Sequence, residues 1–134
     1  MRVGAAAASA GGRLPDAQKL TNGGKKVADC IFCRIVAGEI PSEKVYQDDL
    51  VVAFRDIHPV APVHILIVPR KHVRRLTEVT EADRDWLVRI QEVAAELARR
   101  EGVAETGFRV VANFGPDGGQ EVEHAHYHLV GGRP

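Results

Sequence analysis

Three of the chain's six histidines, His124, His126 and His128, alternate with Ala125, Tyr127 and Leu129. Successive side chains of a β-strand point to opposite faces, so a strand over residues 122–130 sets all three imidazoles on one face. Neighbouring rings are then anchored about 7 Å apart, at a rise of roughly 3.4 Å per residue. Near neutral pH an imidazole can be a nucleophile, a proton shuttle or a metal ligand. The residues between the histidines are apolar or aromatic, as the other face of a packed strand requires. Just upstream runs Gly115-Pro116-Asp117-Gly118-Gly119-Gln120. Its glycines allow close backbone approach and can turn N–H groups toward an anion, although a hairpin turn explains them equally well. An anion loop abutting a histidine row suits phosphoryl or nucleotidyl transfer with His126 as nucleophile. A metal site and simple packing stay open as alternatives.

A second constellation is Cys30-Ile31-Phe32-Cys33. By spacing it is half of a zinc site, a redox pair, or two small buried residues. Two cysteines make no disulfide framework, and a reducing, cytoplasmic setting fits them.

The elements that must hold these residues can be read from pattern. Asp29 caps a short helix that runs to Ile35 and ends at Gly38. Residues 44–47 and 50–55 read as strands around the acidic turn Asp48-Asp49. Residues 64–68 form a continuous apolar strand stopped by Pro69. Thr80 opens the main helix, with Asp83 three residues on in the manner of a capping box. Trp86, Ile90, Val93 and Leu97 line one face of it, and Gly102 ends it. Residues 108–112 are a strand, residues 115–119 a loop, and residues 122–130 the histidine strand. The order α, β, β, β, α, β, β predicts an α+β domain with a mostly antiparallel sheet and the helices on one side.

Composition narrows the function classes. The 134 residues suffice for one domain with a real core. The formal charge is zero, but residues 1–28 carry a net +4 and the remainder a net −4. A mildly acidic body, in a chain only 5% aromatic, offers no nucleic-acid footprint or stacking platform. No run is long and apolar enough to span a membrane. Residues 1–28 are Ala/Gly-rich and read as a disordered extension, leaving 29–134 as the domain. The segment 3–10 is too short and too weakly hydrophobic for a signal-peptide core.

His124-Ala125-His126-Tyr127-His128-Leu129-Val130 follows the pattern His-φ-His-φ-His-φ-φ, where φ is apolar. It resembles the histidine triad (HIT) superfamily. Cys30-Ile31-Phe32-Cys33-Arg34-Ile35, Gly38-Glu39-Ile40-Pro41-Ser42, Phe54-Arg55-Asp56-Ile57, the stretch 64–72, Gly118-Gly119-Gln120 and Gly131-Gly132-Arg133-Pro134 follow in the family's order. Over residues 29–134 they look like its Hint branch, the histidine triad nucleotide-binding proteins.

That resemblance implies a HIT-like fold: a five-stranded, mostly antiparallel sheet with two helices. The sheet is extended across a homodimer through the long helix and residues 108–113. It implies a purine nucleoside phosphoramidase with no cofactor required for catalysis. His126 would attack the phosphorus of a nucleoside 5′-phosphoramidate, forming a nucleotidyl-histidine that water resolves. His128 would bind phosphate and protonate the leaving group, while His64 and His124 orient the relay. Asp56 would take the ribose hydroxyls, and Asn113 would contact the ribose–phosphate region. Ile31, Phe32, Ile40, Phe54 and Ile57 would wall the purine pocket for AMP or GMP. The loop N–H groups of Gly118, Gly119 and Gln120 would hold phosphate. Cys30, Cys33, His72 and His124 would bind a structural zinc, as in a subset of bacterial members. Arg55 and Glu121 stand at positions that vary in the family, bearing on ribose recognition and on rate. Many Hint proteins continue past the position of Pro134 with a tail reaching the partner's site, which bears on leaving-group selectivity. The alternatives are a dinucleoside polyphosphate hydrolase or other nucleotidyl transferase, and a nucleotide-binding regulator with little turnover.

Overall fold

The computed structural model describes residues 30–134; Asp29 and the expected 1–28 extension lie outside the described residues. Strands β1 (Lys44–Gln47), β2 (Val51–Arg55), β3 (Val63–Pro69), β4 (Phe108–Ala112) and β5 (Tyr127–Gly131) form one sheet in the order β1-β2-β3-β5-β4. Every pairing is antiparallel. Two helices, α1 (Ile31–Val36) and α2 (Arg84–Arg100), complete it.

Strand alternation divides the core in two. Val51 and Ala53 of β2, Ile65 and Ile67 of β3 and Leu129 of β5 pack with Trp86, Ile90, Val93 and Leu97 of α2. Val52, Phe54, Leu66 and Val68, one residue out of step on the same strands, pack with Phe32, Cys33 and Ile35 of α1. The helices therefore cover opposite faces, where the element order alone suggested one side. Strands β2 and β3 are buried on both faces, save at Arg55, and are mostly apolar, as two covered faces demand. Burial of each Ile or Leu here contributes on the order of 1.5–3 kcal/mol.

The entry to α2 follows the expectation. Thr80 Oγ1 accepts from Ala82 N at 3.2 Å, and Asp83 Oδ2 accepts from Thr80 N at 2.9 Å. Asp83 also takes Trp86 Nε1–H at 2.8 Å and Lys71 Nζ at 2.7 Å. The start of α1 differs: its N-cap is Cys30, whose sulfur accepts from Cys33 N at 3.3 Å.

The histidine strand is shorter than its alternation predicts. β5 begins at Tyr127, and residues 124–126 are irregular. Ala125 N–H is spent on Val73 O at 2.6 Å and His124 N–H on Val122 O at 2.8 Å, so the ladder cannot extend through them. Among the three histidines only His128 lies in the strand, opposite Leu66 of β3 and Val111 of β4.

Candidate functional site

On the α1 face of the sheet, His64 is the second residue of β3 and His128 lies in its neighbour β5. His64 Nε2 is 3.2 Å from His128 Nδ1, and the His126 and His128 rings lie 5.0 Å apart. All are buried. Phe32 of α1 meets the His126 ring edge-on at 5.0 Å.

Main-chain groups fix the tautomers of His64 and His126, and His64 in turn fixes that of His128. Val60 N–H donates to His64 Nδ1 at 3.1 Å, so the proton of neutral His64 is on Nε2. That N–H faces His128 Nδ1, which leaves the proton of neutral His128 on its own Nε2. His126 Nδ1–H donates to His124 O at 2.7 Å, so its Nε2 carries the lone pair. Burial holds His126 neutral, its pKa pushed down to about 4. Burial and the neighbouring His126 and His64 push His128 down to about 3. His64 is also lowered by burial, against the pull of Asp56. A neutral imidazole with one nitrogen already donating is a nucleophile at the other.

Asp56 closes this row. Its Oδ1 accepts His58 N–H at 2.7 Å. Its Oδ2 stands 3.6 Å from His64 Nε2 and has no hydrogen-bond partner among the described residues. Burial raises its pKa, and the carboxylate of Glu121 adds to the rise.

Beside the row a pocket of about 200 Å³ is lined by Ile31, Phe32, Ile40, Phe54, Arg55, Asp56 and Ile57. These are seven of the expected substrate-binding residues. Ile35, Pro41, Ser42 and Leu66 also line it and were not anticipated. Leu66 had a signal: it lies two residues from His64 on a strand, hence on the same face. The Arg55 guanidinium is engaged elsewhere, bidentate on Glu101 at 2.9 and 3.0 Å and on Glu43 at 3.1 Å.

Two expectations about donors are corrected. The N–H groups of Gly118, Gly119 and Gln120 do not point to an anion. They close their own turn on Gly115 O, Pro116 O and Gly115 O, at 3.0 to 3.1 Å. The Gln120 amide braces the loop, accepting Gly115 N–H at 2.8 Å and donating to Arg74 O at 2.8 Å. Gly115 and Gly119 have φ of 74° and 86°, the left-handed region that glycine adopts without strain. Asn113 stands beside this loop with its Oδ1 buried and unpartnered among the described residues.

The second correction concerns His124, whose ring does not join the relay. Its Nδ1 lies 3.3 Å from Cys30 Sγ and 3.5 Å from Cys33 Sγ, and its Nε2 is 2.9 Å from Pro69 O. His72 Nδ1 is 3.1 Å from Cys33 Sγ. The four ligand atoms lie within 4.8 Å of one another, all from buried residues. Cys30 is pushed toward thiolate by the Cys33 thiol and by His124 and His72, against its burial. Two sulfurs and two ring nitrogens, with His124 backed by a carbonyl, fit a tetrahedral metal ion such as zinc.

An antiparallel sheet carrying a buried imidazole row next to an apolar pocket defines a histidine-centred transfer site. The chain belongs to the HIT domain family, whose model matches residues 37–134. The purine nucleoside phosphoramidase of Escherichia coli (strain K12) is 51% identical over 106 residues, covering 79% of this chain and 89% of that protein. A 14 kDa zinc-binding protein of Brassica juncea is 50% identical over 107 residues, covering 78% and 94%. The crystal structure of a HIT family hydrolase from Legionella pneumophila Philadelphia 1 superposes with a TM-score of 0.77 at 48% identity, covering 78% of this chain and 94% of that one.

Proposed function

We propose that this chain is a nucleotide-binding hydrolase that cleaves the P–N bond of purine nucleoside 5′-phosphoramidates through a nucleotidyl-histidine. The observation that carries the reading is the main-chain lock on His126: Nδ1–H bound to His124 O at 2.7 Å, Nε2 left basic. The 51% identity to a purine nucleoside phosphoramidase supports the substrate class.

In the first step His126 Nε2 forms a bond to phosphorus as the P–N bond breaks. The bound phosphate's negative charge raises the proton affinity of His128, so that it enters the step as imidazolium, passes one proton to the departing nitrogen and is left neutral. The imidazolium-like charge on His126 is stabilised by its Nδ1–H bond to His124 O. Water then attacks phosphorus, returns a proton to His128 and displaces neutral His126, releasing the nucleoside monophosphate. Asp56, its Oδ2 buried and unpartnered among the described residues, accepts the ribose hydroxyls. Ile31, Phe32, Ile40, Phe54 and Ile57 enclose the base, and Asn113 and Glu121 flank the ribose–phosphate.

Cys30, Cys33, His72 and His124 would hold a structural zinc, and as its ligand His124 would be fixed in place beside His126. A homodimer pairs edge strand β4, whose Phe108 and Val110 are both 38% exposed. No described helix is long and apolar enough to cross a membrane, and the buried free cysteines suit a reducing compartment such as the cytoplasm.

The test is hydrolysis of a fluorogenic adenosine 5′-phosphoramidate by wild type and His126→Ala. Turnover lost in the variant with AMP binding retained is expected. A folded wild type that binds AMP and does not turn over refutes the reading.

A further inference from the structure

We infer that Arg133 is a positioning residue for the histidine relay, acting through the backbone of Val60; the catalytic consequence rests on the hydrolase reading above. Arg133 is exposed, and its guanidinium hydrogen-bonds no imidazole among the described residues. Both arms of its guanidinium nevertheless converge on one carbonyl: Nε donates to Val60 O at 3.2 Å and Nη2 at 2.8 Å. The N–H of the same residue donates to His64 Nδ1. The path runs from Arg133 to Val60 O, across Val60 to its N–H, to His64 Nδ1, and from His64 Nε2–H to His128 Nδ1.

The connection matters because Val60 sits in the β2–β3 connection, a loop with no ladder of its own. Asp56 N–H closes its base on His64 O at 3.0 Å, and Pro59 and Pro62 stiffen it. The Gly131-Gly132-Arg133 segment lies against it. A Cβ at Gly132 would stand 2.9 Å from Pro62 Cβ, and one at Gly131 would stand 3.1 Å from three Val103 carbons. Both glycines are therefore small because this strap is wedged between Val103 and Pro62. The guanidinium fork supplies the only directional link from the strap to Val60 among the described residues' hydrogen bonds.

Without that link the Val60 N–H is free to swing from His64 Nδ1. The His64 proton can then sit on either nitrogen, and only the Nε2–H form donates to His128 Nδ1. Arg133 thus selects the tautomer that keeps the His128 proton on Nε2, facing substrate.

The experiment uses full-length, 15N-histidine-labelled protein as wild type, Arg133→Ala and Arg133→Lys. Long-range 1H–15N correlation assigns the proton on each ring nitrogen, and kcat and KM are measured for the phosphoramidate. In wild type His64 is expected as the pure Nε2–H tautomer. In Arg133→Ala its two nitrogen shifts converge and kcat falls on the order of tenfold, with KM within about twofold. Arg133→Lys, which keeps one donor, recovers most of both. A merely structural role would lower the melting temperature and leave the tautomer alone. Unchanged His64 nitrogen shifts in Arg133→Ala overturn the inference. If wild type proves inactive while Arg133→Ala still mixes the His64 tautomers, the positioning stands and only the hydrolase reading falls.

Discussion

Lowering the pH separates this site from an ordinary histidine site. His126 is buried and its pKa is pushed from 6.5 down to about 4. With that value about nine-tenths of the nucleophile is still neutral at pH 5, against about 3% for an unperturbed imidazole. The predicted difference in kcat/KM at pH 5 is thus about thirtyfold. Since kcat/KM reports the free enzyme, the limb of its pH plot that belongs to the nucleophile should have its midpoint near 4. An independent effect runs in the same window. A histidine whose folded pKa is depressed favours the unfolded state once the pH drops below its unfolded value of 6.5. The stability lost grows as pH falls to the folded value, reaching about 3 kcal/mol for His126 alone. Circular dichroism on the assay samples shows whether unfolding intrudes. An acid limb centred near 6.5 in fully folded protein would refute the argument that burial keeps His126 neutral.

Two further predictions address the elements around it. Serine at both Cys30 and Cys33 should abolish bound zinc, measured by plasma mass spectrometry, from about one per chain in wild type; stoichiometric zinc in the double variant sinks the metal assignment. Asp83→Ala strips a helix cap and leaves the buried Trp86 Nε1–H without its acceptor. The expected loss is about 3 kcal/mol, from roughly 1 for the cap and 1–3 for the orphaned donor. It is read as a lower urea midpoint at unchanged slope, and a midpoint within error of wild type would contradict it.

Much of this architecture is legible because it is written in local signals. The Thr80–Asp83 box, the Trp86-Ile90-Val93-Leu97 stripe and the apolar runs at β2 and β3 each fix an element without tertiary help. What the pattern could not reveal is how those elements face one another. β2 and β3 are mostly apolar on both faces, so nothing in them says which face receives α1, and the helices end on opposite sides. Nor does composition reveal that Gln120 spends its amide on Gly115 and Arg74. A glycine-rich loop looks the same whether its N–H groups await an anion or close a turn. Arg55 adjoins Asp56 in sequence, yet its charge is claimed by Glu101 and Glu43, which no local window contains.

The departure at residues 124–126 resolves a conflict that regular alternation would have imposed. On a continuous strand the His124 ring would share a face with His126, and one imidazole would have to choose between a metal and the relay. Ala125 N–H turns instead to Val73 O, and the ladder breaks. His124 can then address the two sites with different atoms. Its ring faces Cys30, Cys33 and Pro69, while its carbonyl takes the His126 Nδ1–H. Phe32, one residue from Cys33 on α1, packs against both the His124 and His126 rings. The sulfur–imidazole cluster therefore anchors, through one peptide carbonyl and one aromatic ring, the nitrogen that must stay protonated for its partner to attack. That is the physical reason to look for cluster and nucleophile varying together, although no imidazole is shared between ligation and proton transfer.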